Sequence, residues 1–195
     1  MQLLSELHRE HAEIRRILDC IDEALAVIEA ADRELDFSEL AEAMYFMTEF
    51  RDIVHHSKEA LLLRQLARRR RDLRGLARDV SAGHAALKAD GVAFLELLED
   101  AAEDAIVARD DLLDRGRRYS QSQRAHLQRL EESVLPRAEQ HLTSQDWRAI
   151  KRRLDCSRDE TIEEITREHF DRLHERLAEG GAVAPIAAAS GNAGG

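Results

Sequence analysis

Two cysteines, two prolines and nine glycines are few for a chain of 195 residues, and each shortage excludes something. Cys20 and Cys156, alone and far apart, cannot build a disulfide framework, so they read as reduced, partly buried thiols. With so little Pro and Gly, long stretches run without a helix breaker. β-branched residues are sparse while Leu, Ala, Glu and Arg dominate, which is the composition of an all-α protein. No apolar run approaches the length that crosses a bilayer. The opening Met1-Gln2-Leu3-Leu4-Ser5-Glu6 lacks the basic start and apolar stretch of a signal peptide, so a soluble, cytoplasmic protein with no membrane partner is expected. Base is in deficit too: the formal net charge of −10 argues against nucleic acid as a partner, because neutralising phosphates takes an excess of Lys and Arg. The run Arg68 to Arg71 is a local exception, and near the end of a long helix it complements the macrodipole. A Gly-rich phosphate loop, a nucleotide motif and a nucleophilic triad are all missing.

What is present is periodic. A hydrophobic content of 44% is enough for one domain with a real core. Leu4, Leu7, His11, Ile14, Leu18, Ile21 and Leu25 recur at three- and four-residue spacing, predicting a first helix over Leu3 to Ala30 with His11 inside its apolar stripe. A turn over Ala31 to Phe37 follows, with Asp36 or Ser38 as N-cap. A second helix is predicted over Ser38 to Arg69. Asp72 opens a third, in which Ala77, Val80, His84, Leu87, Phe94 and Leu98 share one face. After a break near Ala102 to Ala108, a fourth helix carries Leu112, Leu113, Tyr119, His126, Leu130 and Val134, and Pro136 weakens it. Thr143 caps a short helix containing Trp147, Ile150 and Leu154.

Four long helices with short turns predict an up-down-up-down four-helix bundle. Residues 1–155 would hold this bundle and the short capping helix. A last helix lies within 156–179, its core at Arg158 to Ala178, where capping of the bundle end and dimerisation are both open. The Gly-, Ala- and Ser-rich stretch 180–195 reads as a disordered tail.

Each of the four helices brings a His to its core-facing stripe: His11, His55, His84 and His126. Several imidazoles buried without partners would cost several kcal/mol, a cost that a metal ion offsets. Two acids accompany them. Glu59 stands four residues after His55, on the same helical face, and Glu131 five after His126. Imidazoles and carboxylates facing each other across helices are what a transition metal requires. His141, His169 and His174 have no aligned acid and read as exposed; His8, three residues before His11, reads as exposed or as a support behind the ligands; and Glu10 and Glu132 neighbour ligands but point elsewhere. Tyr119, two turns before His126 on one face, reads either as a core Tyr or as a phenol beside the centre.

The ordered set of Glu10-His11, then His55-His56 with Glu59, then His84, then His126 to Glu131-Glu132-Ser133-Val134-Leu135-Pro136, with Asp146-Trp147 following, resembles the hemerythrin-like, His-His-Glu cation-binding family. The resemblance covers Leu3 to Leu154. It implies a non-haem di-iron centre, with two iron ions as cofactor: His11 and His55 on one iron, His84 and His126 on the other, and Glu59 and Glu131 bridging. It also implies a small ligand, a diatomic or peroxide. Members that carry oxygen have a second His four residues away on the third helix, but here Val80 and Lys88 stand four to either side of His84. His56 is then either the replacement ligand or an exposed neighbour. Glu131 departs as well, since five residues rotate it by about 140° from His126 on an ideal helix. The implied function is binding or sensing of dioxygen, peroxide or nitric oxide. An enzyme that degrades peroxide or reduces nitric oxide, and a helical scaffold with adventitious metal, are the alternatives.

Overall fold

Burial follows the predicted stripes. In the computed structural model, which describes residues 2–30, 37–157, 168 and 172, the first helix α1 (Gln2–Ala30) buries Leu4, Leu7, His11, Ile14, Ile17, Leu18, Ile21, Ala24 and Leu25. That spacing of threes and fours keeps one face inward. The second predicted helix divides into α2 (Phe37–Tyr45), a π turn at Phe46–Phe50, and α3 (Arg51–Arg69). A π turn inserts one residue and shifts the phase of the stripe after it.

Arg70 ends α3 by turning extended, at φ −127° and ψ 104°. The third helix starts slightly later than Asp72 suggested. A short 3-10 turn at Arg71–Leu73 comes first, with Asp72 paired to the Arg70 guanidinium, and then α4 (Arg74–Ala102). The break falls where it was expected, and Asp104 adopts a left-handed φ of 60° within it. The fourth predicted helix becomes α5 (Arg109–Arg129), a π turn at Leu130–Val134, and α6 (Leu135–His141). Pro136 therefore sits in the first turn of α6, where its missing N–H costs little. All the described elements are helical, and none among the described residues is long and apolar enough to cross a membrane.

The last described helix, α7 (Ser144–Ser157), packs on α3. Thr143 caps it, as the sequence suggested, in a reciprocal arrangement: the Asp146 amide donates to Thr143 Oγ1 at 3.4 Å, and Asp146 Oδ2 accepts from the Thr143 amide at 2.8 Å. Gln65 and Arg69 of α3 donate to the same carboxylate. Burial alone would push the Asp146 carboxyl up, but the donors from Thr143, Arg69 and Gln65 outweigh it and hold it well below the usual range. Because the folded-state value is depressed, the stability Asp146 contributes is complete above its ordinary value near 4 and is lost as pH falls below that. Asp146→Ala is expected to cost about 1–2 kcal/mol at pH 7. In urea unfolding repeated at pH 3, the gap between variant and wild type should narrow clearly.

α1 packs against α5, α4 against α2, α3 and α5, and α6 against α3. The apolar core has two parts. One gathers Ile14, Leu18, Ile21, Leu25, Met44, Met47, Phe94, Leu98 and Leu113. The other gathers Leu4, Leu7, Leu62, Leu63, Leu66, Val80, Leu130 and Val134. At Gly116 the helices come so close that a Cβ would stand 2.7 Å from Leu25 Cδ2 and 2.8 Å from Phe94 Cζ, so any side chain there would force these two core residues to shift. On α1, α3 and α4 the change from one part to the other falls at His11, at His55 to Glu59 and at His84. The polar residues occupy the layer between.

The interior of the expected turn at 31–36, the last helix, the tail from 180, and His169, His174 and the Cys156 side chain lie outside the described residues.

Candidate metal centre

Glu59 is the hub. It lies on α3 with a fully buried side chain, and each oxygen faces two imidazoles. Oε1 is 2.8 Å from His55 Nε2 and 3.4 Å from His11 Nε2. Oε2 is 2.7 Å from His84 Nε2 and 3.7 Å from His126 Nε2. Two sets of potential ligands result, sharing Glu59: His11, His55 and Glu59, and His56, Glu59, His84 and His126. Within each set the ligand atoms lie within 4.8 Å of one another.

The four helices deliver these groups through the periodicities read above. His11 and His84 come from stripes that are otherwise apolar. His55 and Glu59 are one turn apart on α3. A Cβ at Gly83 would stand 3.3 Å from His126 Nδ1, so this small residue beside His84 lets α4 approach the fourth ligand closely. His56 joins the half containing His84, and the two rings stack with centroids 4.1 Å apart at 12°. Its open position in the sequence thus resolves to one beside the cluster. Both π turns lie within about two turns of ligands, where such insertions are frequent.

Hydrogen bonding tests whether a cation fits. His11 Nε2, His84 Nε2 and both oxygens of Glu59 are buried with no hydrogen-bond partner. Buried polar atoms are nearly always satisfied, and each orphan costs about 1–3 kcal/mol. These orphans lie on the two sides of Glu59, where a partner that accepts lone pairs from N and O would satisfy them. A metal cation fits, and an apolar or anionic guest does not. Burial works to raise the Glu59 carboxyl, but His55, His11 and His126 outweigh it and hold it well below the usual range. The carboxylate is thus charged, as a group that could hold a cation must be.

The far sides of two imidazoles are also occupied. His55 Nδ1 donates to Glu10 Oε2 at 2.7 Å, and His11 Nδ1 donates to Glu131 Oε1 at 2.9 Å. With the proton held on Nδ1, Nε2 turns its lone pair toward Glu59. Each carboxylate is in turn held by a cation. Lys58 Nζ donates to Glu10 Oε1 and, at 2.8 Å, to Glu6 Oε1. Arg15 grips Glu131 at two points, 2.9 and 2.6 Å. Burial would raise the Glu10 carboxyl, but His55 and Lys58 hold it down at about 2. Arg15 first, then His11, keeps Glu131 low against a smaller effect of burial.

Two positions differ from what the sequence led us to expect. Glu131, expected to bridge, is outside both ligand sets. Its place in the π turn at Leu130–Val134 aims it at α1, where Arg15 and His11 Nδ1 take up both oxygens. Glu10, expected to point elsewhere, supports His55. The sequence held a faint signal for it: Glu10 precedes His11 as Lys58 precedes Glu59, a pair of opposite charges beside ligands on two helices. Of the remaining histidines, His8 is exposed and 4.0 Å from Glu131 Oε1. His141 is half-buried, with its ring against Arg70 Nη1. Tyr119 packs in the core with Phe94, ring centroids 6.5 Å apart, and belongs to neither ligand set.

Comparison of the chain with protein-family models, with curated proteins and with solved structures gives no match.

Proposed function

We propose that this chain is a non-haem di-iron protein of the hemerythrin-like type, built as an up-down-up-down four-helix bundle, that binds or senses dioxygen, peroxide or nitric oxide. One observation carries the reading: a single buried carboxylate presents each of its oxygens to a separate group of imidazole nitrogens. In this reading two metal ions would share Glu59, with His11 and His55 available to hold one and His56, His84 and His126 the other. Imidazole with carboxylate suits iron, whereas calcium and magnesium favour all-oxygen sites. Iron bound there would supply a redox-active Lewis acid that takes up a small oxidant wherever coordination is left open. The chain's own residues do the rest. Glu10 and Glu131 fix the tautomers of His55 and His11. The apolar layers on either side of the site keep bulk water from it, which strengthens every charge interaction inside.

An adventitious scaffold site is disfavoured by this burial, because surface chelation leaves no orphaned atoms in a core. The test is spectroscopic. Iron-loaded protein, reduced without oxygen, is exposed separately to air, nitric oxide and peroxide. A new charge-transfer band with at least one of them, shifted by azide, is the expected result. Iron-loaded protein whose spectrum ignores all three would refute the reading. Catalytic loss of peroxide at substoichiometric protein would assign an enzyme instead.

A further inference from the structure

Lys58 is nearly buried, at 8% side-chain exposure, in a layer that otherwise serves the metal centre. Burying an ammonium is costly unless it is paired, and Lys58 is paired twice, with Glu6 and Glu10. Glu10 in turn accepts from His55 Nδ1, so α1 and α3 are joined by a chain running Glu6, Lys58, Glu10, His55, Glu59. A parallel chain runs Arg15, Glu131, His11, Glu59. Both end on the imidazoles of the same half.

The two chains differ in exposure. Lys58 and Glu10 show 8% and 15% of their side chains, while Arg15 and Glu131 show 36% and 25%. Exposed ion pairs are screened and contribute little, whereas a desolvated pair holds its geometry firmly. The Lys58 chain is therefore the stronger support.

Building on the metal-centre reading, we propose that Lys58 is a positioning residue, never a ligand, that selectively sets the metal affinity of the half formed by His11, His55 and Glu59. Lys58 pins Glu10 on His55 Nδ1, and that hydrogen bond fixes the ring and raises the basicity of Nε2. Without the ammonium, Glu10 is a buried carboxylate whose lowest-energy course is to turn toward solvent, and His55 loses its orientation. Lys58 also lines a cleft of about 270 Å³ together with Leu3, Glu6, Trp147, Ile150 and Leu154, so a side chain of another shape has room there.

The experiment is titration of the metal-free full chain with cobalt(II), followed by absorption, for wild type, Lys58→Met and Lys58→Arg. Wild type should bind in two resolved steps. In Lys58→Met one step should weaken by about tenfold or more, the range typical of lost outer-sphere partners, while the other changes less than about threefold. Lys58→Arg should restore the weakened step, because it again offers a cation to Glu10. Melting of the metal-free variants shows whether each is folded, and Lys58→Ala replaces the Met variant if that one is not. Equal weakening of both steps, no weakening, or failure of the Arg variant to restore affinity would overturn the proposal while leaving two-site binding intact. A wild-type chain that takes up no cobalt would instead bring down the metal centre itself, and this role with it.

Discussion

Glu59→Ala should lose metal from both halves at once, with affinity falling on the order of a hundredfold or more for each. A single ligand replaced in an ordinary two-site protein affects one site. Glu59 differs because Oε1 faces His11 and His55 while Oε2 faces His84 and His126. Outer-sphere changes alone cost about tenfold to a hundredfold, and removing a shared inner carboxylate exceeds that. Glu59→Gln separates charge from shape. It keeps the volume and one carbonyl oxygen, but it leaves the imidazoles with no anion to balance a cation. Its metal loss should approach that of the Ala variant. Elemental analysis of both after equilibration with iron checks this, with helical circular dichroism confirming that each remains folded. Loss confined to one half would show that Glu59 does not join the two.

The second large effect is on stability. A ligand that binds only the folded state stabilises it by about 2.7 kcal/mol at a concentration one hundred times its dissociation constant. In a domain of this size each kcal/mol moves the melting temperature by about 2–4 °C. One ion should therefore raise it by roughly 5–10 °C, and a second should add a comparable amount. The gain should vanish with a chelator and in Glu59→Ala. It should also shrink below about pH 6, because protons compete with metal for imidazole nitrogen. Relief of the orphaned buried atoms contributes to that affinity. A melting temperature that ignores iron at neutral pH would mean that the cluster holds none.

Local periodicity made much of this legible. His11, His84 and His126 lie on apolar stripes, and a period of 3.6 residues places such residues inside whatever packs around them. His55 and Glu59 are one turn apart, so their pairing needed no tertiary knowledge. The break after Ala102 and the Thr143 cap were readable from composition and side-chain chemistry. The supporting contacts were not. Glu131 meets His11 across 120 residues of chain and Arg15 across 116, and no spacing rule links such positions. The π turns at Phe46–Phe50 and Leu130–Val134 each insert a residue that an ideal helix does not anticipate. Glu131 lies in the second of them, and neither the resemblance nor a regular helix anticipates its contacts with Arg15 and His11. Glu10 lies about 100° from the His11 stripe on an ideal helix, outside the stripe that periodicity reveals. That angle, however, directs it at α3, where Lys58 and His55 wait.

The most direct test of a Glu59-centred pair of metal ions is the metal content of the untagged chain, grown with iron and purified without oxygen. About two iron ions per chain is the predicted result. A folded protein that carries only trace metal would contradict it.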